Sequence, residues 1–599
     1  MIKALIYYPR LIPRALLTPL VVLSLLGILI GFMDSVALAM IVPLSEMIVN
    51  VDVDYSTIPF LSSAKSFFET RNVPFTVTSI FIAILLFQFI RIVGLYVQGW
   101  LGARYSANYE HNMRKSTMDA YAYMPWENYV KHDSGEVYFN IFRISHFATA
   151  TYGVYGRLIS ASLTTLIYLI TAFYAVWQLS LLASLYSLFA GLLLSSLLVY
   201  ARKLGEKRLP IDVSVHEKIN QLVKGMKYIR VSGLVSYQRN QTIKSSKSLA
   251  DINESIGINA SLFKSISEGL FFVALIGILV VSTQLFVISS GALLLFALLF
   301  FRIFQQIRTV QSSMQSFLQN EPYVRKMHGI QSAGETYVKP KLPDYISTRN
   351  ITIKKSIRVN NVSYSYENDL DVIRGIDIEI KAREHTAIVG LSGVGKTTLL
   401  DLIVGLLSPT KGKITYDDQV LNRTEFEYLR NSVSYVPQGG VLFAGTVLEN
   451  IMFGTDILDN KKLEKSLEIS NVHEFLDTMP DGLETLVGEG GFTLSGGQRQ
   501  RLILARALYR TPEIIILDEA TSELDSVTQK TFIKAINRLS GDVTILTVAH
   551  RLSNVRDADV VYVIRDGSVV ESGTVDELIL LNGYFVEMYN SEIEISGRQ

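Results

Sequence analysis

The sequence predicts a multidomain membrane protein: an all-α domain of six membrane-spanning helices, followed by an α/β domain of the phosphate-loop type. Three observations predict it. Almost all the long uncharged apolar runs fall before about residue 310. The stretch "GLSGVGKTT" from Gly390 lies between an apolar strand pattern and a helical one. A second strand pattern, "IIILDEATSELD" from Ile514, ends in Asp518 and Glu519.

At 599 residues the chain accommodates several domains. Its 56 basic side chains balance 55 acidic ones, so no global field points to a nucleic-acid partner. There is no cysteine, which excludes a disulfide framework and thiolate metal ligation. The N-terminal "MIKALIYYPRLIPRALL" is basic, with no small-residue cleavage site before the first apolar run, and reads as an uncleaved membrane anchor.

Crossing a hydrocarbon core takes roughly 20 apolar residues per helix. Six runs qualify: 15–44, 75–100, 158–178, 181–201, 265–287 and 290–310. They set a transmembrane domain at 1–320, a linker at 321–350 and a nucleotide-binding domain at 351–599. Spans 3 and 4 join at "WQLSLL" (177–182) and spans 5 and 6 at "VISSGA" (287–292), both short and uncharged, as expected of outer turns. The segments 101–157 and 202–264 are long and polar. The second holds twelve Lys/Arg against five Asp/Glu, which places it in the cytoplasm with both termini. Both are long enough for helices that continue past the membrane. "YAYMPWENYVKHDSGEVYFNI" (121–141) carries a Pro and a Gly inside a helical pattern and predicts a turn; "YIRVSGLVSYQRN" (228–240) predicts its equivalent.

From about residue 350 strands alternate with amphipathic helices. "GIDIEIKAREHTAIVG" reads as two strands, the second running into the phosphate loop. Gly390, Gly393 and Gly395 let backbone N–H groups wrap phosphate oxygens, Lys396 reaches the β/γ-phosphates and Thr397 can hold Mg²⁺. The helix that starts at Lys396 aims its positive end at the anion. Asp518 closes a buried strand where it can bind Mg²⁺ through water, and Glu519 can deprotonate a water attacking the γ-phosphorus. Two further strands end at Gln438 in "SYVPQ" and at His550 in "TVAH", in positions to touch Mg²⁺ or water and to sense the γ-phosphate. Taken alone, a lone His such as His550 reads first as a hydrogen-bonded core residue, and Gln438 is by itself a weak signal.

The set "GLSGVGKTT", "SYVPQ", "LSGGQRQRLILARAL", "ILDEATSELD" and "TVAHRLS" resembles the nucleotide-binding domain of ATP-binding cassette (ABC) transporters. The match runs over roughly 355–585, and "LSGGQ" is that family's own signature. One departure is "IKAREHTAIVG", which lacks the glycine usual before this strand. The resemblance implies an α/β P-loop NTPase domain in a half-transporter of the exporter type, an ATP hydrolase coupled to transport. It implies ATP contacts along the phosphate loop (Gly390, Ser392, Gly393, Gly395, Lys396, Thr397, Thr398) and adenine stacking on Tyr366, otherwise a plain strand-face tyrosine. It also answers why a second anion cradle exists. In this family Ser495, Gly496, Gly497 and Gln498 of one chain close over the γ-phosphate held by Lys396 of another. Asp525 falls in the loop that crosses to the opposite subunit, and "TLVGEGG" (485–491) where the family contacts the partner's cytoplasmic loops. A homodimer with two competent sites is the simplest expectation, and a heterodimer with a different half the alternative.

Charges inside spans are costly and mark a cavity or pathway. Asp34 lies late in span 1, Arg91 in the inner part of span 2, Arg302 midway along span 6 and Arg308 at its cytoplasmic end. Arg91 and Arg308 equally suit snorkelling into water from helices that outrun the bilayer. Arginines around a cavity suit a phosphate or pyrophosphate head group, which their forked donors bind bidentately. "GFMDSVALAMIVPLSEMI", "FQFIRIVGLY" and "FFRIFQQIRTV" are similar to spans 1, 2 and 6 of bacterial lipid-linked oligosaccharide flippases. That resemblance implies a polyprenyl-pyrophosphate glycan as substrate, a bacterial inner membrane and cytoplasmic nucleotide domains. Lipid A-type lipids, drugs and peptides are the alternative cargoes, and an ATP-gated channel or regulator the alternative class. A peptide exporter with a cysteine processing protease is disfavoured, and the spans exclude a soluble cassette protein of DNA repair or translation.

Overall fold

The computed structural model describes residues 2–12, 17–48, 66, 68–285, 290–336, 351–366, 371–488, 493–521, 524, 526–549, 555–588 and 590. The chain forms two compact units, Met1–Met124 with Asn128–Val338, and Pro125–Glu127 with Lys339–Gln599.

The first unit is all helix. Its elements are α1 (Ile2–Leu11), α2 (Leu17–Ala39), α3 (Ile41–Ile48), α4 (Val77–Tyr123), α5 (Trp126–Tyr129, of which Trp126 and Glu127 fall in the second unit), α6 (Ser134–Tyr138), α7 (Ser145–Ala175), α8 (Trp177–Lys224), α9 (Met226–Val231), α10 (Val235–Leu285) and α11 (Ser290–Thr336). Six stretches are long and apolar enough to cross a membrane. The 47 residues of α4 would span about 70 Å at 1.5 Å per residue, more than twice a hydrocarbon core. Ile82, Leu85, Leu86 and Phe89 of α4 are more than half exposed, as suits a face solvated by lipid chains.

The breaks have local causes. Thr76 caps α4 by accepting the Ser79 N–H. Pro125 forbids the α region to Met124, which is extended (ψ 151°) and ends α4 inside the stretch predicted to turn. Gly225 closes α8 and Gly233, at φ 68°, precedes α10, the second expected turn. The joint between spans 3 and 4 differs from expectation: Trp177–Leu182 are already helical. The helices are separated by Val176 alone, non-helical at φ −147° and ψ 78°, because one non-helical residue suffices to end α7 and start α8. Half of the joint expected at 287–292 lies outside the described residues, and its other half, 290–292, is already the start of α11. The expected linker differs too. Helix α11 continues through Pro322 to Thr336, because Tyr323, Val324 and Met327 bury a hydrophobic face with Phe317. Residues 337–350 lie outside the description.

The second unit is an α/β domain. Strands β1 (Ser356–Ser365), β2 (Asp371–Lys381), β3 (His385–Val389), β4 (Lys411–Tyr416), β5 (Val433–Val436), β6 (Gly445–Thr446), β7 (Leu486–Val487), β8 (Ile514–Asp518), β9 (Thr544–Ala549), β10 (Val560–Arg565) and β11 (Ser568–Gly573) form three sheets. The largest has the order β11-β10-β3-β9-β8-β5, parallel except for the edge strand β11. Every residue of β3, β8 and β9 is buried, which explains their near-continuous apolar runs. A second sheet, β2-β1-β4, is antiparallel. The helices are α12 (Lys396–Ile403), α13 (Arg423–Ser432), α14 (Val447–Ile451), α15 (Asn460–Ile469), α16 (His473–Leu476), α17 (Gly496–Tyr509), α18 (Ser526–Asn537) and α19 (Val575–Leu581). In such a sheet ligands bind beyond the carboxyl ends of the strands. Gly390, Gln438 and Glu519 lie there, after β3, β5 and β8.

Candidate functional site

The loop from β3 to α12 is shaped by close approaches. A Cβ on Gly390 would lie 2.5 Å from the Ile564 carbonyl oxygen. Gly393 and Gly395 sit at φ 85° and 99°, a region that favours glycine. The first turn of α12 therefore points unpaired N–H groups at the loop's centre. Lys396 crosses that centre. Its Nζ donates to the Gly390 and Leu391 carbonyls at 2.8 and 2.9 Å and lies 3.9 Å from Glu519 Oε1. Burial lowers its pKa, against the raising pull of Glu519 and Asp518. Thr397 is exposed beside the loop, while Thr398 is buried with its hydroxyl 3.5 Å from the Tyr366 hydroxyl. Tyr366 is thereby brought to the start of α12, ring half exposed.

Strand β8 delivers two carboxylates. Asp518 is buried and accepts the Tyr435 hydroxyl on Oδ2 at 2.8 Å. Burial raises its pKa and Glu519 adds to the rise; Tyr435 and Lys396 oppose it. Burial and the nearby Asp518 push Asp401, on α12, up to about 6. Glu519 stands at φ 46°, unusual for a residue with a side chain, and its N–H donates to the Val548 carbonyl at 3.0 Å. Gln438 is exposed two residues past β5. Asp518, Asp401 and Thr397 are hard oxygen donors of the kind Mg²⁺ takes, few enough that phosphate oxygens would complete its shell.

Ser495 begins α17 with a reciprocal capping box. Its hydroxyl accepts the Gln498 N–H at 3.2 Å, and the Gln498 side chain accepts the Ser495 N–H at 2.9 Å. Gly497 lies against α18, where a Cβ would meet Thr528 Cγ2 at 2.8 Å. Gly496 and Gly497 thus keep the helix start bare. His550, Asp525 and residues 489–491 lie outside the described residues.

Residues 373–522 match the family model described as ABC transporter. Over 426 residues the chain is 32% identical to the heterocyst differentiation ATP-binding protein HepA of a Nostoc species, covering 70% of this chain and 69% of that protein. The chain belongs to the ABC transporter family. The transporter is 28% identical over 508 residues to an ATP-dependent lipid A-core flippase of Cupriavidus pinatubonensis, covering 84% of this chain and 85% of the relative. A protein of the same name from Coxiella burnetii is 28% identical over 543 residues, covering 88% and 89%. The fold matches that of a bacterial Atm1-family ABC exporter solved with ATP bound, with a TM-score of 0.79 and 22% identity over 97% of this chain and 99% of that one. This is an integral, multi-pass membrane ATPase that couples hydrolysis to transport.

Among the described residues of the transporter's membrane unit, Asp34, Arg91 and Arg302 form one charge cluster, while Arg308 lines a cavity that none of those three lines. Asp34 is fully buried. Its Oδ1 lies 3.2 Å from Arg91 Nε and accepts Gln88 Nε2 at 3.0 Å; its Oδ2 lies 3.3 Å from Arg302 Nε and accepts the Tyr168 hydroxyl at 2.5 Å. A buried carboxylate must be paired, and here it draws two arginines inward. Arg91 also borders a cavity of about 600 Å³ with Gln98, Arg157 and Ser160, and among the described residues no carboxylate lines it. Arg308 lines a different cavity of about 480 Å³ between α10 and α11, with Lys264, Ser267, Gln305, Gln311 and Gln315. Gln315 is buried and its Nε2 has no hydrogen-bond partner among the described residues.

Sequence reasoning missed Tyr435, Asp401, Tyr168, Lys264 and Gln315. Asp401 carried a signal, one helical turn after Thr397 and so on the same face. Lys264 and Gln315 carried none, because only the pairing of α10 with α11 brings them together.

Proposed function

We propose that this transporter is a flippase for an amphipathic lipid with an anionic, hydroxyl-rich head group, of the polyprenyl-pyrophosphate oligosaccharide kind, in a bacterial inner membrane. The α10–α11 cavity carries this reading. Two cations, Lys264 and Arg308, line it with several amides and hydroxyls, and among the described residues no carboxylate does. A phosphate-bearing glycan supplies the acceptors such a wall needs. The cavity lies at the cytoplasmic ends of spans 5 and 6, the depth of inner-leaflet head groups. Relatives named for lipid A-core transport favour a lipid cargo.

In the nucleotide domain, Lys396 leaves its two loop carbonyls for the β/γ-phosphates, and Tyr366 stacks on the adenine. Thr397, Asp518 and Gln438 would hold Mg²⁺, which when bound would neutralise charge on the phosphate oxygens. Glu519 accepts the proton of the attacking water, with His550 beside the γ-phosphate. Ser495, Gly496, Gly497 and Gln498 complete the site from a second copy, so the working unit is a homodimer. Closing and opening of that pair drives alternating access in the spans.

The test uses liposomes containing a fluorescent polyprenyl-pyrophosphate oligosaccharide and follows ATP-dependent loss from the leaflet facing the nucleotide domains. Movement that requires Glu519 and weakens in Lys264→Ala and Arg308→Ala is the expected result. Intact ATPase activity without movement of this lipid would overturn the substrate assignment, and lipid A-type lipids, drugs and peptides would be tried next.

A further inference from the structure

We infer that Tyr435 is a positioning residue for the nucleotide's Mg²⁺, fixing the carboxylate of Asp518 from the neighbouring strand. In the register of β5 with β8, Tyr435 pairs with Ile516, so Asp518 is its diagonal neighbour two residues on. Diagonal neighbours share a face at a separation only long side chains cross. Tyrosine crosses it, and its hydroxyl donates to Asp518 Oδ2 at 2.8 Å. Asp518 Oδ1 makes no hydrogen bond among the described residues and is the oxygen left for a water or cation. The ring itself is 49% exposed between the buried Ser434 and Val436, so packing does not explain a tyrosine here. A shorter side chain would leave the buried carboxylate without its donor, free to rotate out of register with Thr397. Gln438 follows two residues after β5 ends, so one hydroxyl ties the strand that leads to Gln438 to the carboxylate on β8.

This inference rests on the reading of Asp518 as a Mg²⁺-binding group, and the experiment separates the two. Full-length protein in lipid nanodiscs binds a fluorescent trinitrophenyl-ATP, first without divalent cation and then through a Mg²⁺ titration. Partners of metal-binding side chains typically tune affinity by tenfold or more. Tyr435→Phe, which removes one oxygen from a half-exposed ring, is expected to bind the analogue normally without Mg²⁺ and to need roughly tenfold more Mg²⁺ for the metal-dependent change. Asp518→Asn is expected to shift the titration further. A wild-type Mg²⁺ titration in Tyr435→Phe alongside a shifted one in Asp518→Asn overturns the positioning role alone. Wild-type titrations in both overturn the Mg²⁺ assignment with it. Weakened binding in Tyr435→Phe already without Mg²⁺ would make the tyrosine part of the fold of the site and also overturns the inference.

Discussion

Glu519 holds a backbone conformation, φ 46°, that costs a side-chain-bearing residue about 1–3 kcal/mol. Strain of this kind survives where function needs the side chain. Glu519→Gly is therefore expected to raise the melting temperature of the nucleotide-free protein while ATP turnover falls by about 10²-fold or more. A lower melting temperature would mean that the side chain's contacts outweigh the backbone strain. Asp401 makes a second prediction. Its pKa is raised to about 6 from an ordinary 3.8, by burial and then by Asp518. The folded protein thus holds a proton there that the unfolded chain releases, so this group's contribution to stability falls as pH rises from about 4 through 6. Asp401→Asn removes that dependence. The difference in melting temperature, variant minus wild type, should grow in the variant's favour between pH 5 and pH 7, and a flat difference would contradict it. The phosphate-loop residues were legible in sequence because their chemistry is local, a glycine turn between a strand and a helix. The partners Tyr435 and Asp401 were not, since strand order and helix docking decide which side chain meets Asp518.

Elements were legible wherever one periodicity ruled. The six spans follow from length and apolarity, and the buried strands β3, β8 and β9 from unbroken apolar runs. What hydropathy cannot carry is how spans are keyed together. The two cases here are the Asp34 cluster and the approach of α8 to α11. Asp34 on α2 joins Gln88 and Arg91 on α4, Tyr168 on α7 and Arg302 on α11. Breaking a buried charge pair by removing one partner costs about 3–5 kcal/mol. Asp34→Asn strands two guanidinium groups and should cost that order in detergent melting, with Arg302→Met in the same chain recovering part of it. No loss would mean that lipid or water already screens the cluster. At the second key, a Cβ on Gly205 of α8 would sit 2.5 Å from the carbonyl oxygen and 2.7 Å from the Cα of Gln319 on α11. Only glycine permits this backbone contact, made where α8 and α11 continue past their apolar spans. Gly205→Val forces the helices apart and is expected to destabilise by about 1–3 kcal/mol.

At the scale of the whole molecule, the two anion cradles lie on one chain but imply two. Ser495 and Gln498 cap α17 with their own backbone, while the N–H groups of Gly496 and Gly497, in its first turn, have no partner within the helix itself. If that end serves a second copy's Lys396, each catalytic site takes half its parts from each chain, and two different defects can complement. A Lys396→Ala chain still has a sound Ser495, and a Ser495→Glu chain still has a sound Lys396. Each variant alone builds no intact site, in either a cis or a trans arrangement. Mixed, the trans arrangement gives every heterodimer one site with both defects and one with neither. Random pairing then leaves about a quarter of all sites intact under two-fold symmetry. ATPase activity measured after co-expressing the two variants should therefore rise well above that of either alone. A cis arrangement predicts no recovery, because neither chain carries both sound halves. Activity equal to the parents' average would thus exclude the shared site.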